Sequence, residues 1–230
     1  MSLIADADLH ALLDALHARS EGQEGAIGAY LARRAAADEL DWKGLDEGAH
    51  RFMADKLVAL DRDKAEFCYG LCRAMNARRI VEIGTSFGVS TLYLAAAARD
   101  NAAAGGQGPA PLVIGTEHEP DKAAAARANF RAAGLDGLID LRVGDLRETL
   151  KSLAGPIDFV LMDIWTEMAR PALELVSPHL RDGAVIIADN TLDYREPYGA
   201  YFAFIADPAN RLRTMTLPFQ GGLEMTVRCG

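Results

Sequence analysis

The sequence has few cysteines and no long apolar run. Its three cysteines, Cys68, Cys72 and Cys229, are too few and too scattered for a disulfide framework, and this usage is typical of a reducing compartment. No stretch of about 18 uncharged apolar residues occurs, and the first residues lack a basic segment followed by an apolar one. We therefore expect no membrane span, no secretory signal and a cytoplasmic location.

Basic residues are also fewer than acidic residues. The 24 Lys and Arg residues against 33 Asp and Glu give a formal net charge of -9. A surface of this kind repels polyanions, which disfavours nucleic acid as a partner. Half of the residues are hydrophobic, and a chain of this length can bury one α/β domain with a short helical extension.

Two or three helices are expected before the first strand. Apolar residues recur at helical spacing over 4–34, and again over 48–75 after the turn-like segment Trp42-Lys43-Gly44. We expect residues 1–62 to form a helical extension or lid, and residues 63–230 to form the cofactor-binding domain. Trp42 and the segment 50–56 would then supply a wall of the substrate site.

From residue 79 onward, short β-branched runs alternate with alanine-rich helical stretches, which is typical of βαβ units and a parallel sheet. The last two runs are split by Gln220-Gly221-Gly222, which indicates an antiparallel pair. The sequence thus predicts an α/β fold: a Rossmann-like, doubly wound, mostly parallel seven-stranded sheet. A helix is predicted over 146–153. The predicted strands are 79–83, 112–117, 139–143, 157–162, 184–188, 211–217 and 223–229.

The first predicted strand runs into a glycine-bracketed turn. Gly84 and Gly88 are spaced G-x-x-x-G, which differs from the G-x-G-x-x-G pattern of dinucleotide sites. The turn offers backbone N–H groups and the hydroxyls of Ser86 and Ser90, a set that suits an amino-acid carboxylate better than two phosphates. By spacing alone, such a turn also occurs where a strand and a helix merely pack closely.

Acidic residues end the next two strands. Glu117 is positioned to accept hydrogen bonds from a ribose diol, which we favour over a solvated strand-end carboxylate. Asp145 either accepts from the exocyclic amino group of a purine or caps the helix that follows it, and both roles are compatible. His118, beside Glu117, either covers the adenine or is an ordinary loop residue.

Two further strands end in Asp163 and in Asp189-Asn190. Neighbouring strands lie about 4.8 Å apart, so these side chains would converge on one hard divalent cation. Two carboxylates and an amide leave about three octahedral positions for water and a chelating substrate. Alternatively, Asp189-Asn190 simply opens a turn, as such residues often do.

Together these motifs resemble the S-adenosylmethionine-dependent O-methyltransferases related to catechol and caffeoyl-CoA methyltransferases. The resemblance extends from about residue 63 to the last residue. The motifs that carry it are Val81 to Gly88, Glu117, Gly144-Asp145, Met162-Asp163-Ile164-Trp165 and Ala188-Asp189-Asn190.

The resemblance implies a role for each motif. The glycine turn would hold the methionine part of the cofactor, Glu117 the ribose, and Trp165 the adenine side, while the late aspartates and the asparagine would bind Mg²⁺ or a similar ion. Relatives of this kind commonly form homodimers. With the interpretations above, the candidate cofactor-binding residues are Glu82, Gly84, Ser86, Gly88, Ser90, Glu117, His118, Asp145, Asp163 and Trp165. The candidate metal ligands are Asp163, Asp189 and Asn190, and Asp163 is the candidate catalytic residue.

The sequence departs from the family at two positions. Thr166 stands where relatives often carry a lysine that helps to deprotonate the acceptor hydroxyl, and threonine cannot act as that base. The late acidic residue of catechol methyltransferases aligns near Met215, which argues against catechol as the acceptor. Glu167, His50 and Tyr194 are possible substitutes for the lysine, but no spacing places them in the site.

We expect a methyltransferase in which an ionised acceptor oxygen attacks the sulfonium methyl group. Two alternatives stay open. An NAD-dependent oxidoreductase would share the acidic ribose ligand, although it should have the missing second glycine. A cofactor-binding protein without catalytic turnover would be compatible with Thr166.

Overall fold

A computed structural model describes residues 2–37, 47–105 and 108–230. Among these residues three helices precede the first strand, in agreement with the two or three expected: α1 (Ala7–Ala36), α2 (Glu47–Met53) and α3 (Arg62–Ala74). Trp42 and its turn lie outside the described residues. None of the described helices combines the length and the apolar character needed to cross a bilayer.

The sheet has seven strands in the order β3-β2-β1-β4-β5-β7-β6. The first five strands are parallel, and β7 pairs antiparallel with both β5 and β6. The predicted Rossmann-like α/β fold is therefore confirmed. The strands are β1 (Arg79–Ile83), β2 (Leu112–Glu117), β3 (Ile139–Val143), β4 (Ile157–Met162), β5 (Leu180–Asp189), β6 (Leu212–Leu217) and β7 (Leu223–Arg228).

Helices cover both faces of the sheet. On one face, α1 and α3 pack with the buried, alanine-rich α4 and with α5, while α6, α7 and α8 fill the other face. The chain order reverses between β1 and β4, and the carboxyl ends of parallel strands at such a point form a ligand crevice. The later helices are α4 (Val89–Ala103), α5 (Pro120–Ala132), α6 (Leu146–Thr149), α7 (Thr166–Val176) and α8 (Gly199–Ala206).

Two elements differ in length from the prediction. The helix expected over 146–153 ends at Thr149, because the guanidinium of Arg142 donates to the carbonyl oxygens of Thr149 and Ser152 and so satisfies the last turn. Strand β5 begins at Leu180 rather than at residue 184, because Leu180 pairs with Ile157 ahead of a register shift. The polar residues after Leu180 hid this extension in the sequence.

Candidate active site

The glycine turn lies where the tips of β1 and β4 meet. A Cβ atom on Gly84 would stand 1.9 Å from the carbonyl oxygen of Asp163, and one on Gly88 would stand 2.3 Å from the ring of Phe130. Both glycines have positive φ, as does Ser86 between them. Close packing therefore requires the two glycines, and it also brings the turn against the acidic tip of β4.

Glu82, in β1, is fully buried below the turn. Its Oε2 accepts hydrogen bonds from the hydroxyls of Thr85, at 2.8 Å, and Thr91. Burial raises the pKa of Glu82 to about 7, against the opposing effect of the surrounding hydroxyls. Within the described part of the chain, Glu82 Oε1 and the buried Ser86 hydroxyl have no hydrogen-bond partner. Buried polar atoms are normally paired, so these two fit a polar ligand at the turn.

Ser90 lies in the first turn of α4 and is buried beside Glu82, where its hydroxyl contributes to lowering the pKa of that carboxyl. It therefore belongs to the same cluster as the turn. The methionine side predicted from the sequence is thus a continuous group of residues around Gly84.

Glu117, at the end of β2, contacts the turn directly. Its Oε2 accepts the backbone N–H of Ser86 at 2.7 Å, and its Oε1 accepts the backbone N–H of Glu119 at 2.8 Å. Each carboxylate oxygen has a second acceptor site, so both oxygens can still receive a ligand hydroxyl. The structure thus brings together the glycine turn and the predicted ribose ligand.

Asp145 caps α6. Its carboxylate accepts the backbone N–H of Arg147 at 2.8 Å and also bonds the Arg147 guanidinium. These bonds to Arg147 lower the pKa of Asp145 to about 2. Of the two roles open in the sequence, the cap is observed and the purine contact stays a prediction. His118 is exposed, and it lies near enough to Asp145 to add slightly to the lowering of that pKa.

Trp165 precedes α7 with 44% of its surface exposed. The ring of His50, in α2, meets it edge to face with a centroid separation of 6.3 Å. The segment beginning at His50 therefore lies beside the predicted adenine side. This contact supports the expectation that the leading helices supply part of the wall.

The acidic corner is formed by the ends of β4 and β5. Asp163 is bonded to β1 through its backbone N–H, which donates to the carbonyl oxygen of Ile83 at 3.0 Å. Burial, followed by the negative charges of Asp189 and Glu82, raises the pKa of Asp163. Burial also raises the pKa of Asp189. The two predicted carboxylates are therefore close enough to interact.

Lys64, in α3, is a residue of this corner that the sequence interpretation missed. Its side chain is 2% exposed, and its Nζ lies 2.8 Å from Asp61 Oδ2 and 2.8 Å from Asp189 Oδ1. Burial lowers the pKa of Lys64, but the bonds to Asp189 and Asp61 outweigh burial and leave the pKa raised. Cys68 and Cys72 are buried in the same helix. Their spacing of four residues also places Lys64 on that buried face, which was the available signal.

The predicted metal ligands meet, but both carboxylate oxygens of Asp189 already lie against polar partners. Asp189 Oδ1 is paired with Lys64, and Asp189 Oδ2 accepts from the Asn190 amide at 2.9 Å. Asn190 Oδ1 faces Gly221, where it would be 2.7 Å from an added Cβ. Within the described ranges, no three His, Cys, Asp or Glu side chains are grouped to hold a metal. The ammonium of Lys64, paired with Asp189 Oδ1, stands in the way of a hard divalent cation, which needs several converging oxygens.

Comparison with known proteins agrees with this architecture. Residues 81–191 match the family described as methyltransferase domain. A catechol O-methyltransferase of Mycobacterium tuberculosis is 35% identical over 136 residues, which is 59% of this chain and 58% of that protein. The chain is similar to this O-methyltransferase over that region. The resemblance stated from the motifs is thereby confirmed, although the alignment spans less than two thirds of the relative's length.

Solved methyltransferase structures share the fold. The O-methyltransferase from Bacillus cereus, in complex with SAH, superposes with a TM-score of 0.65 at 22% identity, covering 98% of this chain and 92% of that one. Cofactor-bound Rv0187 from MTB has a TM-score of 0.65 at 25% identity, covering 88% of this chain and 95% of that one. The seven-stranded architecture is therefore that of known methyltransferases over nearly the whole chain.

The structure also shows where the residues that depart from the O-methyltransferase pattern lie. Thr166 is the first residue of α7, and Met215 is exposed on the edge strand β6. Tyr194 is partly buried, and burial raises the pKa of its hydroxyl. The lysine found in the acidic corner comes from α3 rather than from the segment after Asp163.

Proposed function

We propose that the protein transfers a methyl group from S-adenosylmethionine to a hydroxyl group of a small acceptor. The observation that carries the proposal is the position of the glycine turn. The turn is bonded to Glu117 on one side and packed against the Asp163 backbone on the other. A cofactor held along the turn would present its sulfonium group toward the acidic corner.

The residues of the turn supply the binding groups on the cofactor side. Glu82 Oε1 and the Ser86 hydroxyl, which are buried polar atoms, receive the polar groups of the methionine part. Glu117 keeps acceptor capacity for the ribose hydroxyls, and Trp165 offers an exposed aromatic face to the adenine. The cofactor, when bound, supplies an electrophilic methyl group and leaves as S-adenosylhomocysteine.

On the acceptor side, the protein positions and desolvates the reacting hydroxyl. The acceptor oxygen loses its proton, forms a bond to the methyl carbon and displaces the sulfur in line. We assign Asp163 to this side because it ends β4 directly beside the turn. Enclosure by α2 and Trp165 would exclude water, which favours the step through alignment and desolvation.

The divalent cation expected on Asp163, Asp189 and Asn190 stays a prediction. The two oxygens of Asp189, which lie against Lys64 and the Asn190 amide, do not fit it in the described arrangement, so no step of the proposed reaction passes through a metal. The homodimer and the cytoplasmic location are also predictions, which rest on the resemblance and on the free cysteines respectively.

Ligand-dependent thermal stability tests the cofactor assignment. S-Adenosylhomocysteine at 100 times its Kd should stabilise the fold by about 2.7 kcal/mol, since a ligand that binds only the folded state stabilises it by mass action. NAD⁺ at equal concentration should give no shift. A shift with NAD⁺ alone would support the oxidoreductase instead.

Turnover tests the chemistry. Methylated products should appear when S-adenosylmethionine is supplied with a panel of phenols, enols and hydroxy acids. Asp163→Asn should lower this rate while S-adenosylhomocysteine still binds. Binding without turnover across the panel would favour a non-catalytic cofactor-binding protein.

A further inference from the structure

A buried ammonium group lies in the acidic corner, at the carboxylate where a divalent cation was expected. Lys64 Nζ stands 2.8 Å from Asp189 Oδ1, and both side chains are nearly inaccessible to solvent, at 2% and 7% exposed. A buried charge persists only when it is compensated. Lys64 and Asp189 therefore compensate each other inside the site.

The surrounding residues are arranged to hold that ammonium. Asp61 stands at the N-terminus of α3 but makes no side-chain capping bond there. Its carboxylate instead contacts Lys64 Nζ at 2.8 Å. The ammonium thus lies within ion-pair distance of two carboxylates, the exposed one of Asp61 and the buried one of Asp189.

A metal ion at the same place would compete with this ammonium. A divalent cation on Asp189 Oδ1 would share that oxygen with Lys64 Nζ and be repelled by it at short range. Asp189 Oδ2 is already bonded to the Asn190 amide. Binding a metal would therefore require Lys64 to leave a buried position that two carboxylates stabilise.

We propose that Lys64 takes the place of the divalent cation in this site, as a fixed internal positive charge on the acceptor side of the reaction. This inference rests on the proposed function. Lys64 is a positioning residue: it acts through Asp189, which it holds in place and neutralises beside Asp163.

The replacement has a consequence for the substrate class. A divalent cation with open coordination positions chelates two neighbouring oxygens of one acceptor. An ammonium supplies hydrogen-bond donors and no such positions. The favoured acceptor is therefore a compound with a single acidic hydroxyl, such as a monophenol or an enol, rather than a vicinal diol.

Titration with Mn²⁺ tests the site independently of turnover. In electron paramagnetic resonance, the wild-type protein should leave the signal of equimolar free Mn²⁺ unchanged. Lys64→Gln should bind Mn²⁺ at least about tenfold more tightly, because the corner then holds uncompensated carboxylates. Stoichiometric binding by the wild type that is lost in Asp189→Asn would overturn the proposal.

Matched variants separate the expected gain in Mn²⁺ binding from a general disturbance of the fold. Lys151→Gln removes another lysine that pairs with a carboxylate, but at an exposed position, and it should not change Mn²⁺ binding. Lys64→Arg keeps the charge and should stay free of metal. If circular dichroism shows that Lys64→Gln does not fold, the Mn²⁺ titrations of the wild type and of Lys64→Arg still test the proposal. Tight Mn²⁺ binding by either protein contradicts it.

Turnover gives the second readout. Wild-type activity should show no loss in EDTA and no gain with Mg²⁺, and a monophenol should be methylated faster than catechol. Loss of activity in EDTA that Mg²⁺ restores would overturn the role of Lys64. An absence of any S-adenosylhomocysteine thermal shift would instead contradict the proposed function, and the Mn²⁺ titration would still give its own answer for Lys64.

Discussion

The carboxylate of Glu117 accepts the backbone N–H of Ser86 across a distance of 2.7 Å. This bond joins the end of β2 to the turn that follows β1. The same carboxylate also accepts the backbone N–H of Glu119, so a single side chain orders both loops on this side of the crevice. The turn depends on Glu117 before any cofactor binds.

Glu117→Ala should weaken S-adenosylhomocysteine binding by at least about tenfold, because hydrogen bonds to a charged group each contribute about 1.5–3 kcal/mol. Isothermal titration calorimetry measures the change. Glu148→Ala removes an exposed glutamate that pairs with Lys151 and should leave the affinity unaltered. Equal affinities for the wild type and Glu117→Ala would contradict the ribose role.

Gly84→Ala should destabilise the fold strongly. Its Cβ would stand 1.9 Å from the Asp163 carbonyl oxygen, at a φ of +95°. We expect a loss of more than about 3 kcal/mol in the free energy of unfolding, since backbone must move to relieve the overlap. Urea denaturation provides the value.

Gly134→Ala is the matched control for that substitution. Gly134 also has a positive φ, but an added Cβ would have no atom within 4 Å among the described residues. Gly134→Ala should lower the free energy of unfolding by only about 1 kcal/mol, because only the backbone conformation is strained. Similar losses for the two variants would show that close approach to β4 is not what requires Gly84.

Glu82 should make stability depend on pH. Burial raises its pKa from 4.5 to about 7, so the folded state retains a proton at pH values where the unfolded state has released it. Its stabilising contribution is full below pH 4.5 and is lost as the pH rises through about 7. The free energy of unfolding without cofactor should therefore fall between pH 5 and pH 8, by on the order of 3 kcal/mol from this group.

Glu82→Gln isolates that contribution, since glutamine keeps an acceptor for the hydroxyls of Thr85 and Thr91 without titrating. The variant should lose stability less steeply than the wild type over this range. Urea denaturation at a series of pH values gives both slopes. Parallel curves would rule out Glu82 as the source of the dependence.

His50→Ala should affect the cofactor more than the acceptor. Its edge-to-face contact with Trp165 brings α2 against the ring proposed to contact the adenine. Removing it should weaken S-adenosylhomocysteine binding about 2- to 10-fold, in line with the energy of an aromatic pair, with a smaller change in the acceptor KM. Steady-state kinetics and S-adenosylhomocysteine titration separate the two effects. His10→Ala, at an exposed ion pair with Asp14, should change neither quantity.

The strands and the glycine turn were predictable because their signals are local. β-Branched runs define β1, β2 and β4 in the sequence within a residue of their ends in the structure. The convergence of Glu117 with the turn followed from a general property of parallel sheets, whose strand ends meet at one edge. These predictions needed no knowledge of how distant side chains pack.

Lys64 could not be identified in the same way. Its partner Asp189 is 125 residues away in the sequence, and only the packing of α3 against the sheet brings them together. A lysine beside Cys68 on an apolar helix face contradicts the usual pattern, in which charged residues mark the solvent side. The choice between two roles for Asp145 likewise depended on the observed bond to Arg147.

The three-residue ion cluster of Asp61, Lys64 and Asp189 crosses the boundary expected between residues 62 and 63. A shortened protein beginning at residue 63 would keep the ammonium and lose one of its two anions. Such a fragment would carry an imbalance of charge in its interior, even with every strand intact. Trimming for crystallisation or biophysical work should therefore begin ahead of Asp61.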